Sequence, residues 1–265
     1  MMSKGALHIH SLYSDGEWSL AELRELYLHD GCRFACVTDH ADAFDAERAS
    51  AYVAECARLS DASFLFVPGL EYSCTDRMHI VGYGVTALTP EVDPIKVMEH
   101  ISTSGGVSVI AHPKDAHFAW IEQFERLPDG LEVWNSKYDG RYAPRPATFR
   151  LLERLRARRP DLRAFYGQDL HWQKQHRGLF VHLETEAVSG ASILDALRHG
   201  AFRGHKDGVW LPSDGAIPEA LMKEMERAHR RSDQMRRVLK TVKRAADRLG
   251  LRLPSTVKAQ ARRVM

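Results

Sequence analysis

The chain has 265 residues, 44% of them hydrophobic and 27% charged, and a net charge of +2. That balance suits one large soluble α/β unit with a real core. No apolar run approaches the roughly 20 residues that cross a bilayer, "MMSKGALHIH" has no long apolar signal region, and Cys32, Cys36, Cys56 and Cys74 match no zinc-ribbon or disulfide spacing. A membrane partner and an oxidised scaffold are thus excluded, and reduced thiols in a cytoplasmic protein are expected.

Eight short apolar runs predict strands: "GALHI" (5–9), "RFACVT" (33–38), "FLFVPG" (64–69), "MHIVGYG" (78–84), "VSVIAH" (107–112), "LEVWN" (131–135), "LRAFYG" (162–167) and "GLFVHLE" (178–184). Continuous Val, Ile, Leu and Phe runs are expected of parallel strands covered on both faces. Helices fill most gaps. Ser19 and Glu22 form a capping box that opens one helix, and Gly31 closes it. Asp93-Pro94 opens another, closed by Gly105-Gly106. Further helices are expected near 45–59, 117–126, 146–158 and 191–199. Seven or eight β-α units argue for a parallel sheet closed into a barrel.

From about 216 the pattern changes. Residues 216–265 hold 14 Lys and Arg against 5 Asp and Glu, leaving 23 against 30 in 1–215, so a body of −7 carries an arm of +9. Ile217, Leu221, Met225, Ala228, Met235, Leu239, Val242, Ala246 and Leu249 recur at steps of three and four, with Pro254 at or beyond the end. We divide the chain into a barrel domain at 1–212 and a basic helical extension at 213–265. Three roles are open for the extension: a helix packed on the barrel, a helix-mediated homodimer rather than a monomer, or a nucleic-acid arm through Arg230, Arg231, Arg236, Arg237, Lys240, Lys243 and Arg244.

The chemistry-bearing residues sit where the runs end. In a strand, residues i and i+2 share a face, so His8 and His10 point the same way. Asp15 follows strand one, Asp39 and His40 strand two, and Glu71 strand three. His79 lies in strand four, His112 ends strand five, and Asp169 and His171 follow strand seven. In an α/β barrel the loops at that end converge on one mouth. Imidazoles and carboxylates without thiolate suit Zn²⁺, Mn²⁺ or Fe²⁺. His8, His10, Asp15, His40, Glu71, His79, His112, Asp169 and His171 are too many for one tetrahedral ion and suffice for two or three. The other eight histidines lack this placement and read as surface or packing residues.

Together, "HIHSLYSDG", "VTDHAD", "PGLEYS", "VIAHP" and "GQDLH" resemble the PHP (polymerase and histidinol phosphatase) family over residues 5–205. The resemblance implies a distorted, TIM-like (β/α)7 barrel with a trinuclear metal centre. His8, His10, Glu71 and Asp169 would hold one ion. Glu71 would bridge to a second, held also by His79 and His112. Asp15, His40 and His171 would hold the third. The aspartate at position 15, where some members carry histidine, is a variant that occurs among the nucleotide and RNA phosphoesterases of the family, while "LEVWNS" and "ILDALRHGAFRG" resemble its compact, stand-alone members, so the resemblance implies no single substrate class. The short stretch between His79 and His112 leaves no room for an inserted helical domain.

The expected activity is hydrolysis of a phosphate ester of a small metabolite or nucleotide by water activated between clustered ions. Asp15 and His40 are expected at the reacting centre, with Asp39 orienting a neighbouring histidine through its other ring nitrogen. Lys114, Lys137, Arg141 and Arg177 are candidates for holding substrate phosphate, or are simply solvated. Trp134, Tyr138 and Trp172 could stack on a base or belong to the core. The alternatives are a nuclease acting on RNA or DNA ends, a non-catalytic metal-stabilised scaffold, and hydrolysis of a carbon ester or carbamate.

Overall fold

The computed structural model describes residues 2–139, 144–185 and 188–248. The strands are β1 (Ser3–Ile9), β2 (Phe34–His40), β3 (Leu65–Ser73), β4 (His79–Tyr83), β5 (Val107–Ala111), β6 (Gly130–Asn135), β7 (Arg163–Gly167), β8 (Phe180–Leu183), β9 (Phe202–Lys206) and β10 (Val209–Pro212). They form one sheet in the order β10-β9-β8-β1-β2-β3-β4-β5-β6-β7. The helices are α1 (Leu20–His29), α2 (Ala46–Arg58), α3 (Pro94–Thr103), α4 (Phe118–Ile121), α5 (Pro146–Arg156), α6 (Gly190–His199) and α7 (Glu219–Arg248).

β1 to β7 curl into a nearly closed barrel. Closure comes from backbone that follows β7: Gln168 N–H donates to the Leu7 carbonyl at 2.9 Å, and His10 N–H to Leu170 at 2.9 Å. Only the far half of β1 is used there. Its near half, Ser3 to Gly5, pairs antiparallel with β8. One strand thus carries two partners on one edge, and the sheet branches into the β8-β9-β10 extension.

The architecture is the expected α/β barrel class, with three corrections. β4 runs antiparallel to both β3 and β5, because the five residues between β3 and β4 can turn the chain but cannot carry a crossover. The eighth apolar run, β8, lies outside the barrel and is antiparallel to β1. The helix expected near 117–126 shrinks to a 3₁₀ turn at Asp115–His117 and the four residues of α4.

The local signals that start helices act as expected. Ser19 and Glu22 cap α1 reciprocally, and the Asp93 carboxylate accepts from the N–H groups of Ile95 and Lys96. α1 buries Leu20, Leu23 and Tyr27, α3 buries Val97, Met98 and Ile101, and α5 buries Phe149, Leu152 and Leu155. Each such side chain contributes about 1.5–3 kcal/mol of transfer free energy. All four cysteines are buried and unpaired.

Beyond β10, Ser213 accepts from Ala164 of β7, so the chain docks back on the barrel. α7 begins packed on α5: Met222 and Met225 are buried, and Arg150 pairs with Glu219 at 3.2 Å and Glu226 at 3.5 Å. Farther along, Met235, Val238 and Val242 are exposed. Leu249 and Pro254 lie outside the described residues. No described helix is long and apolar enough to cross a membrane.

Candidate metal centre

The barrel brings all nine candidate ligands together. Their donor atoms form overlapping groups in which every pair lies within 4.8 Å: His10, Asp15, His40 and His171; His8, Glu71 and His112; His8, His10 and Asp169; and His40, Glu71 and His79. Glu71 is the hub. Its Oε1 meets His79 at 2.9 Å and His112 at 3.1 Å, and its Oε2 meets His40 at 3.2 Å, His10 at 3.3 Å and His8 at 3.4 Å. Asp169 Oδ1 is 3.2 Å from His171, which in turn is 3.2 Å from the exposed Asp15.

Three of these residues hold left-handed backbone: His8 at φ 59°, Asp169 at φ 49° and His112 at φ 28°. Such conformations cost on the order of 1–3 kcal/mol each for residues with a Cβ. At His8 the register of β1 against β2 slips between Leu7 and Ile9. The histidine pair is therefore not delivered by plain strand alternation. A bulge re-aims His8, and its ring still ends 5.2 Å from that of His10.

Burial alone would push the carboxyls of Glu71 and Asp169 up. The surrounding imidazoles, His8 foremost, outweigh it and hold both well below the usual carboxylate range. Burial lowers His8, but Glu132, Glu71 and Asp169 overcome this and raise it. At His10 burial wins, taking the imidazole down to about 3.

The residues fit divalent cations. His8 Nε2 and both ring nitrogens of His10 are buried without a hydrogen-bond partner, and buried polar atoms are rarely left so. These nitrogens converge on two ionised carboxylates, as a hard or borderline cation requires.

Several supporting residues carry weak sequence signals. Glu132 lies inside the apolar run of β6, 2% exposed, with its Oε1 2.9 Å from His8 Nδ1. Its Oε2 accepts from His112 N–H and Asn135 Nδ2, both at 2.8 Å. It fixes the His8 ring so that Nε2 faces the cluster. Gly167 permits this, because a Cβ there would fall on the Glu132 carboxylate. An acid inside a run buried on both faces was the available clue. Gln175 accepts from His171 N–H at 2.8 Å, and no pattern marked it.

Asp39 is placed differently from expectation. Its hydrogen bonds come from Ser11 N–H and Oγ at 2.8 Å and from Ser14 Oγ at 2.7 Å, not from a histidine ring. A short loop after β1 brings those donors to the end of β2, so Asp39 shapes the loop that carries Asp15.

Among the candidate phosphate holders, Lys137 enters the cluster, with Nζ 3.0 Å from Asp169 Oδ1 and 3.3 Å from His171. Arg177 donates to the Ser136 carbonyl. Lys114 is exposed on the loop after β5. Arg141 lies outside the described residues.

No protein-family model matches the chain, and no curated protein matches it. Solved structures do share its fold. A two-domain protein from Bacteroides vulgatus, described as containing a predicted PHP-like metal-dependent phosphoesterase, is similar over 78% of this chain at 15% identity and a TM-score of 0.57. The chain spans 65% of that protein's length. PsfC from Pseudomonas syringae matches 73% of this chain and 88% of its own at 16% identity and a TM-score of 0.53. An amidohydrolase from Chromobacterium violaceum with bound sulfate matches 73% of this chain and 96% of its own, at 16% identity and a TM-score of 0.51. At such identities the likeness establishes a common fold, and it is the PHP-like fold that the motifs implied.

Proposed function

We propose that this protein is a PHP-type metal-dependent phosphoesterase that hydrolyses a phosphate ester of a small metabolite or nucleotide at a centre of two or three divalent ions, Zn, Mn or Fe. The observation that carries the reading is the convergence of six imidazoles and three carboxylates at one barrel mouth, with buried ring nitrogens left for a ligand. Ions held there would supply charge neutralisation at the phosphoryl oxygens and water made nucleophilic near neutral pH.

The chain's own groups do the rest. Glu71 and Asp169 remain ionised at neutral pH because imidazoles surround them. Glu132 holds His8 in one orientation. Lys137 presents an ammonium beside Asp169, where a substrate phosphate oxygen can replace that carboxylate as its partner. Asp15 is the exposed carboxylate of the cluster and is near His40 and His171, so it is the group placed to take up a proton. In balance, the P–O ester bond breaks, water gives its hydroxyl to phosphorus, and its proton goes to the leaving oxygen.

A second reading, a nuclease acting on RNA or DNA ends, draws on α7. Its residues Arg227, Arg230, Arg231, Arg237, Lys240 and Arg244 are exposed, and among the described side chains of the far half Met235, Val238 and Val242 are exposed too, which suits a phosphate backbone. A non-catalytic scaffold needs no such complete donor set.

The test is elemental analysis of protein purified with Mn²⁺ or Zn²⁺, followed by phosphate release from monoesters, cyclic diesters and labelled oligonucleotides. The reading expects two or three ions per chain and turnover of at least one class. Bound metal with no turnover of any phosphoester overturns it in favour of the scaffold.

A further inference from the structure

The nine candidate ligands differ in how the chain carries them. His8, Glu71 and His79 stand in β1, β3 and β4, His40 ends β2, and His10 and His112 directly follow β1 and β5. Asp15 lies well beyond the end of β1, and its side chain is 57% exposed, whereas His8, His10, Glu71 and Asp169 are buried. Its group is completed by His10, His40 and His171. Asp15 Oδ1 is 3.2 Å from His171 Nε2 and 3.6 Å from His40 Nε2. Two loops, after the first and after the last barrel strand, must therefore stay in register for this group to close.

Glu17 spans those two loops. Its backbone N–H donates to the His171 carbonyl at 2.8 Å, and its side-chain Oε1 accepts from Gln173 N–H. Next to it, Gly16 lies against the backbone of His10, where a Cβ would fall on the His10 carbonyl. Gln175 holds the same segment, accepting from the N–H groups of His171 and Trp172 at 2.8 and 3.0 Å.

We propose that Glu17 is the positioning residue of one ion: by clamping the loop after β1 to the loop after β7, it assembles the position offered by Asp15, His40 and His171. The proposal rests on the multi-ion phosphoesterase reading and says which residue decides the occupancy of one position. The Glu17 carboxylate bonds to a backbone N–H and not to a ligand side chain, so it acts through the loop. A carboxylate accepting from an N–H makes one of the stronger hydrogen bonds. Without it, the order of the two loops has to be gained when the ion binds, and that entropy is subtracted from the affinity of this ion alone. The other positions draw on His8, Glu71, His79 and His112, which the barrel strands hold without the clamp.

The test titrates the metal-free full chain with Zn²⁺ against a chromophoric chelator and counts bound ions by elemental analysis. The wild-type protein is expected to take three ions. Glu17→Ala should take two with unchanged affinity and the third about tenfold more weakly, the lower end of what loss of a ligand-supporting contact costs. Its phosphate release should recover as Zn²⁺ is raised, because the donors themselves remain. Glu17→Gln keeps an oxygen acceptor for Gln173 N–H and should restore most of the third affinity. A side chain that only stabilised the fold would lower the melting temperature of metal-free Glu17→Ala and leave the three affinities in their wild-type proportions. Three unchanged affinities, or an equal loss at all three, overturn the clamp. A wild-type chain that saturates at two ions overturns it as well and leaves the phosphoesterase reading standing. The expected affinities without turnover of any phosphoester uphold the clamp and remove that reading. A chain that binds no metal removes both.

Discussion

Two groups of histidines face very different surroundings in this protein. At the barrel mouth, six imidazoles surround Glu71, Asp169 and Asp15. On the β8-β9-β10 extension, His182 and His205 pack 5.5 Å apart and lean on Trp210 at 4.7 and 4.2 Å. His182 also has a buried ring nitrogen without a partner. At the mouth, carboxylates overcome burial and raise His8 and His112, although burial still lowers His10 and His40. On the extension, burial, the neighbouring imidazole and Lys4 push His182 down to about 4. Clustered histidines alone thus lack what the mouth offers: interleaved carboxylates and a backbone bent to aim the rings.

The sharpest way to break this contrast is to remove the carboxylates. Asp169→Ala, like His8→Ala, should abolish both bound metal and phosphate release, read by elemental analysis and a release assay, while circular dichroism remains that of the folded barrel. Full activity in either variant ends the ligand assignment. Next in size, Glu132→Gln frees the His8 ring and should weaken metal affinity about 10–100-fold. Gly167→Ala should do the same by displacing the Glu132 carboxylate, since its Cβ would also lie 3.0 Å from that of His8. Titration with a competing chelator measures both.

A smaller effect is expected at Lys137. Lys137→Ala should leave metal content unchanged and lower kcat/KM about tenfold, the size of one charge-assisted hydrogen bond. The mildest prediction concerns the extension. Because folding holds His182 near 4, the unfolded chain with its imidazole near 6.5 binds the proton first. Stability is thus complete above pH 6.5 and falls as pH drops toward 4. His182→Gln should flatten that acid slope in urea titrations and leave bound metal untouched. An unchanged slope would show that His182 is already protonated in the folded state.

The helix caps at Ser19 and Asp93 and the apolar runs of β1 to β7 were legible because capping and burial act within a few residues. The nine ligands were legible because polar residues stood at the ends of those runs. Glu132 was hidden inside a run that otherwise reads as core, its reason being a histidine 124 positions away. The β9-β10 hairpin went unnoticed although Asp207-Gly208, at φ 50° and 83°, is a hairpin turn pair.

By itself the sequence determined which residue types stand at which strand ends, and hence that imidazole and carboxylate chemistry gathers at one barrel mouth. Only the tertiary structure decided how they meet. The bulge at His8, the left-handed turns at His112 and Asp169, the redirection of Asp39 to serines and the exposure of Tyr138 and Trp172 all depend on contacts between residues distant in the chain. Local propensity is decided by near neighbours; the aim of a side chain is decided by whatever the fold packs behind it.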